Sequence, residues 1–369
     1  MNKDVRSRLR DLPSPEPTAG VEVYRREREL ALAASAEKRA NYDRFCAYQP
    51  GAPVDFLPVK LDMENVSRCN FRCTMCVVSE WEKGRRSHDM SLAQFKALID
   101  EQIGLLEIKL QGIGEPLLQG ADLFEMIKYA RARHIWVRTT TNASLLHLHD
   151  NYRQLIDADP NEVQVSVDGA DKVVFESIRR GSNFERVVEN CKLINGYCRE
   201  RGVARTKMWT VVQERNAHQL KALVNLAAEM GFTHQAFALN LSDWGLSEWR
   251  TLNDQVSVQD SLDAEALWEL IPYGADRGVV VRFWNVNEKY RLGDRSTLCP
   301  WPFERAFVSS DLRVVPCCYI GNPDVFQIDE PISADGGFSA IWRGKTYADF
   351  RRAHLEGDLP PICQGCYSI

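Results

Sequence analysis

No apolar run in the chain approaches the ~20 residues that a membrane helix requires. The opening MNKDVRSRLRDLPSPEP carries no apolar secretory segment either. An excess of either charge is small. Lys and Arg number 46 against 51 Asp and Glu, and the net charge of −5 gives no electrostatic case for nucleic acid or anionic lipid. Internal repeats and low-complexity tracts are missing as well. The expectation is a cytoplasmic globular protein with neither nucleic acid nor membrane as partner.

What is present builds a core. Hydrophobic residues make up 44% and charged residues 26% of 369 residues, a length that predicts one large domain with a smaller companion. Strand patterns occur at FLPVKLDM, LEIKLQG, WVRTTTN, EVQVSVDG, TKMWTVVQ and HQAFALN. Helical patterns separate them: SLAQFKALIDEQI with Ser91 as N-cap, ADLFEMIKYARAR, a short helix near 147–156, a helix over 173–198, and AHQLKALVNLAAEMG. Six strand–helix units in succession predict an α/β fold with a parallel sheet, either doubly wound or closed into a partial barrel. Both arrangements bind ligands beyond the carboxyl ends of the strands. Residues 1–55, Pro-rich and then charged and helical, predict an extension on the barrel's side.

Cysteine is abundant: eleven, an odd number, which in a reducing compartment argues for metal or redox chemistry over disulfides. Cys191 and Cys198 fall on the apolar stripe of NFERVVENCKLINGYC and read as core thiols, and Cys46 carries no pattern. Cys69, Cys73 and Cys76 crowd into CNFRCTMC, on the loop after the first strand. Structural zinc wants four ligands, and the nearest histidine, His88, makes a weak fourth. A four-iron cluster held by three thiolates keeps one iron open, and an open iron can chelate a small molecule through amino and carboxylate groups.

This Cx3CxxC spacing, set in a succession of strand–helix units, resembles the radical S-adenosylmethionine superfamily. The resemblance implies a partial (β/α)6 TIM-like barrel and a [4Fe–4S] cluster on Cys69, Cys73 and Cys76. It also implies S-adenosylmethionine on the open iron, cleaved by one electron to a 5′-deoxyadenosyl radical that abstracts hydrogen from substrate. QGIGEPLL is similar to the family's Gly-Gly-Glu-Pro element, with Gly112, Gly114, Glu115 and Pro116 around the cofactor's amino group and Ile113 inserted between the glycines. Thr141 and Asn142 stand where the ribose is held, and Ser166 where the cofactor is contacted. Arg179 stands where its carboxylate is met, and Met75 where a backbone touches adenine.

Five more cysteines follow position 298. Spacing alone allows a four-cysteine zinc site. With the first motif in place, STLCPWPFERAFVSSDLRVVPCCYIGN and LPPICQGC resemble the twitch form of a SPASM domain, which implies an auxiliary [4Fe–4S] cluster on Cys299, Cys317, Cys363 and Cys366. FSAIWRGKTYADFRRAHLEG matches its connecting helix. An extended Cys317–Cys318 pair points to opposite faces, so only one of them is a ligand. Cys317 is the choice by family spacing. Cys318 is then a core thiol of the small domain or, less favoured, a hydrogen-atom donor.

The expected domains are an extension over 1–55, a barrel over 56–290 and a small α+β cluster domain over 291–369. Candidate substrate groups at strand ends are Glu64, Asp168, Trp209 and Gln213. The layout resembles aminocyclitol and sugar dehydrogenases, which implies a small polar substrate, oxidation of a secondary alcohol, and a flavodoxin- or ferredoxin-type electron donor. Alternatives are an epimerase, a maturase of ribosomal peptides, and, outside enzymes, an iron–sulfur electron carrier or a zinc-stabilised binding protein.

Overall fold

The computed structural model describes residues 9, 11–49, 51–81, 86, 88–259, 261–286, 289–292, 295–333 and 337–368. Seven strands follow the chain into one sheet: β1 Lys60–Met63, β2 Glu107–Leu110, β3 Trp136–Thr141, β4 Glu162–Ser166, β5 Thr206–Val211, β6 His234–Ala238 and β7 Val280–Trp284. A hairpin of β8 Arg305–Val308 and β9 Val314–Val315 joins it, giving the order β9-β8-β1-β2-β3-β4-β5-β6-β7. Every pairing is parallel except β8 with β9. The helices between the strands cover the outer face, as in a partial TIM-like barrel.

Alternation along each strand divides the two faces. Val163 and Val165 of β4 are fully buried in the main core, whereas Glu162 and Gln164 between them point the other way. A buried parallel sheet ordinarily reads as near-continuous apolar runs. Here each of the first five strands carries a charged residue on its inner face: Lys60 and Asp62, Glu107 and Lys109, Arg138, Glu162, and Lys207.

The six expected strands all form, and Ser91 caps Leu92–Glu101 with a capping box completed by Gln94. Four features differ from the sequence reading. β7 was not anticipated. The 173–198 helix is two helices, Lys172–Ile178 and Phe184–Glu200, because Arg179–Arg180 leaves to pair antiparallel with Arg72–Cys73 and Gly181 turns the chain at φ +86°. The connecting helix likewise breaks at Gly344 into Phe338–Arg343 and Lys345–Glu356. The β8–β9 hairpin completes the barrel sheet instead of standing apart with the small domain.

The N-terminal segment does more than pack on the barrel's side. It closes the barrel at the amino ends of the strands. Lys207 Nζ donates to the Glu16 carbonyl (2.6 Å), Thr18 N–H and O–H donate to Glu162, and Tyr24 O–H donates to Glu107 (2.9 Å). Above this plug the inward charges pair off: Arg138 with Glu107 at 3.1 Å and Lys207 with Glu162 at 2.8 Å. Burial alone would raise both carboxyls, but Arg138 outweighs it at both, with Lys60 at Glu107 and Lys207 at Glu162, and each is held at about 2. The two helices Val21–Ala34 and Ala36–Ala47 continue along the outside.

Candidate iron–sulfur and cofactor site

At the opposite end of the barrel the loop after β1 carries Cys69, Cys73 and Cys76. It is pinned by the Cys73↔Arg179 bridge, by Thr74 N–H donating to the Ile178 carbonyl (2.9 Å), and by Cys76 N–H donating to the Cys73 carbonyl (3.1 Å). Each of the three thiols acts electrostatically on the other two. Burial is the main cause that pushes all three upward, Cys69 to about 12. Buried neighbouring thiols opposed mainly by one cation, Arg179, suit a cationic cluster whose iron stabilises the thiolates. Val77, Val78, Ile113 and Trp249 form a buried apolar patch against Cys69 and Cys76, joined by Trp244 and Leu246. Ile113, the residue that interrupts the glycine pair, thus helps keep water from the thiols.

The glycine turn is fitted to its own chain. A Cβ on Gly114 would come within 2.4 Å of the Val66 and Arg68 carbonyls, and one on Gly112 would meet Glu64 at 2.1 Å. Glu115 is 2% exposed and ties its own turn to the end of β3. Its carboxylate accepts from Leu117 N–H (3.2 Å), Thr141 O–H (2.8 Å) and Asn142 N–H (2.7 Å), while Pro116 opens the next turn. Burial raises its pKa to about 7, so this carboxyl would gain from a nearby ammonium. Asn142 Nδ2 donates to Asn70 Oδ1 (3.0 Å) beside Cys69, a contact not foreseen from sequence.

Ser166 ends β4 half-buried. Arg179 Nη2 pairs with Asp168 Oδ2 at 2.7 Å, and Asp168 Oδ1 accepts from Val211 N–H (2.8 Å). Asp168 is therefore turned to Arg179 and away from solvent, at 0% exposure. Buried Arg179 keeps Nε without a partner, a free donor such as a cofactor carboxylate would require. Met75 packs half-buried against the main core. The residues present therefore fit S-adenosylmethionine: three thiols for the iron, Glu115 for the ammonium, and Arg179 for the carboxylate.

The other candidates part company. Glu64 is fully buried and committed to the protein. It accepts from Ile113 N–H, from Ser310 N–H and O–H, and from Arg86 at 2.6 Å, so its carboxylate braces the glycine turn against the β8–β9 hairpin. Gln213 is buried with Nε2 unpaired. Trp209 lies half-buried on an inward position of β5, 6.4 Å from Trp284.

The second cysteine set is assembled from distant segments. Cys299, Cys317, Cys363 and Cys366 act on one another in all six pairings. Burial pushes all four thiols up, Cys317 to about 12 and Cys366 to about 11. Among the described residues no three His, Cys, Asp or Glu side chains gather around one point as for a single ion. A cubane presents separate irons, so its thiols need not meet at one point.

Cys318 corrects the expectation of a core thiol. It is exposed, and its charged neighbours are Asp62, Lys109 and Arg305 on the barrel strands. Cys191 and Cys198, by contrast, are buried in the core as their helical spacing predicts.

Comparison with known proteins agrees with this arrangement. Residues 65–227 match the radical SAM superfamily and residues 299–367 the SPASM iron–sulfur cluster-binding domain. The chain is 28% identical over 313 residues to mycofactocin maturase MftC of Mycolicibacterium smegmatis, covering 84% of this chain and 75% of that one. In fold it is similar to SuiB of Streptococcus suis bound to S-adenosylmethionine (TM-score 0.59, 16% identity, 80% of this chain and 68% of that one). It is similar also to anSMEcpe with bound AdoMet (TM-score 0.58, 18% identity, 84% and 88%). The chain belongs to the radical SAM superfamily, with a C-terminal SPASM domain, and as such binds S-adenosylmethionine and iron–sulfur clusters.

Proposed function

We propose that the chain is a radical SAM maturase acting on a peptide. The observation that carries this reading is the MftC similarity, which spans 84% of the chain, a share too large to fit within the matched superfamily segment alone. The earlier preference for a sugar or aminocyclitol gives way to it. Bound at this site, cluster and cofactor would together supply the 5′-deoxyadenosyl radical. The protein's own part is to hold and shield them. Glu115, Thr141, Asn142, Ser166 and Arg179 orient the cofactor, and the Trp249 patch excludes water. Cys299, Cys317, Cys363 and Cys366 hold the auxiliary cluster, and a flavodoxin- or ferredoxin-type protein of the cytoplasm is the proposed reductant.

Small-molecule dehydrogenation stays as a second reading for one reason. Residues 13–24 are spent on closing the barrel, and residues 21–47 form two helices without the strands of a winged-helix fold. The two readings separate in one assay. Reconstituted protein, S-adenosylmethionine and dithionite are incubated in deuterated water with short peptides encoded beside the gene, and in parallel with aminocyclitols. A mass change confined to a peptide supports the maturase. An aminocyclitol losing two hydrogens overturns it in favour of the dehydrogenase, and an isomeric one carrying a solvent deuterium overturns it in favour of the epimerase.

A further inference from the structure

Asp62 and Lys109 are direct neighbours across β1 and β2 and point into the barrel. Unlike the paired charges beneath them, neither makes a hydrogen bond or an ion pair with any described residue. Asp62 is nonetheless only 5% exposed. Gln111, the residue just past β2 at the next inward position, keeps a buried Oε1 without a partner. Above them stands the exposed Cys318, on which both charges act. An unpaired carboxylate and an unpaired ammonium side by side in a poorly solvated space are costly in an empty protein. Burial drives both toward their neutral forms, Asp62 upward and Lys109 downward. A ligand offering a donor and an acceptor together would relieve both.

We propose that Asp62, Lys109 and Cys318 line a substrate subsite that takes a neutral dipolar group, namely a backbone amide of the peptide. Its N–H donates to Asp62 and its C=O accepts from Lys109. The subsite deepens the peptide reading and rests on it for the identity of the amide. One carboxylate beside one ammonium balances charge, and the nearby Arg305 is already paired with Glu304 at 2.8 Å, so the subsite rejects singly charged groups of either sign. Cys318 makes the space measurable without turnover.

In the cluster-loaded protein, labelling of Cys318 by three methanethiosulfonates is followed by peptide mass mapping. The reagents carry a carboxamide, a sulfonate or a trimethylammonium group. The carboxamide reagent is expected to react fastest. Asp62→Asn should raise the sulfonate-to-trimethylammonium rate ratio about tenfold, and Lys109→Met should lower it by a similar factor. Taking the ratio cancels any change in thiol ionisation. Millimolar N-acetylalanine methylamide should slow labelling, and myo-inositol should not. Ratios unmoved in both variants, with iron content intact, would overturn the subsite. Protection by myo-inositol alone would overturn the amide assignment. Failure of every peptide to be modified, with the ratios shifting as stated, would count against the maturase and leave the subsite standing.

Discussion

The two ends of the barrel use the same kinds of residue to opposite purposes. At the amino ends of the strands Glu107, Arg138, Glu162 and Lys207 are paired with one another and sealed by Thr18 and Tyr24. Toward the carboxyl ends Asp62, Lys109, Gln111 Oε1 and Arg179 Nε are left wanting partners, and seven thiols gather in two groups, the first facing mainly the cation Arg179. Satisfied polar groups hold a fold together, whereas a cluster of unsatisfied ones beside thiols is a candidate for binding something else. The comparison separates stability from function along one axis, and substitutions at each end test it.

The largest effect is expected at the carboxyl end. Replacing Cys69, Cys73 and Cys76 together with Ala should cut iron from about eight to about four per chain and abolish reductive cleavage of S-adenosylmethionine. Thermal stability should change far less than activity. If iron remains near eight, the three thiols do not hold a cluster. Next comes the adjacent pair. Cys317→Ala should remove about four irons, whereas Cys318→Ala should remove none. The reverse outcome would exchange their roles.

The two cysteine sets also show how far the sequence could be read. Cys69, Cys73 and Cys76 lie within eight residues, so spacing alone exposed them. Cys299 and Cys366 stand 67 positions apart, so spacing alone left zinc open; the family resemblance named the set with Cys317 and Cys363, and folding brings the four together. The six strands were legible because each is bounded by helix and turn chemistry. β7 was not, since VVVRFW follows a helix with no further motif to mark it. Glu64 could not be placed from sequence, because a carboxylate at a strand end looks the same whether it faces substrate or, as here, four protein donors. The inward charges Asp62 and Lys109 did leave a trace, in KLDM and EIKL, where a buried parallel strand should be apolar throughout.

At the amino end the expected effect falls on stability. Glu162→Ala would leave the 3%-exposed Lys207 side chain with the Glu16 carbonyl but without its carboxylate, and breaking a buried ion pair in this way costs about 3–5 kcal/mol. Denaturant titration should show that loss while iron content and the Cys318 reagent ratios stay near wild type. A loss below about 1 kcal/mol would mean the plug is not a stabilising device.

The smallest effect is one of pH, and its sign follows from the same network. Glu107 and Glu162 titrate at about 2 in the folded chain against 4.5 for an ordinary glutamate, because Arg138, Lys60 and Lys207 outweigh the cost of burial. A carboxyl whose folded value is depressed contributes stability that is fully present above the unfolded value and is lost as pH falls through the folded one. The stability of the wild type should therefore decline between about pH 4.5 and pH 2. Each glutamate accounts for part of that slope. Glu107→Gln should flatten it without shifting the iron content measured at neutral pH, since Gln keeps an acceptor for Tyr24 and the site at the far end is untouched. An unchanged slope in Glu107→Gln would place the acid sensitivity elsewhere and break the division of labour between the two ends of the barrel.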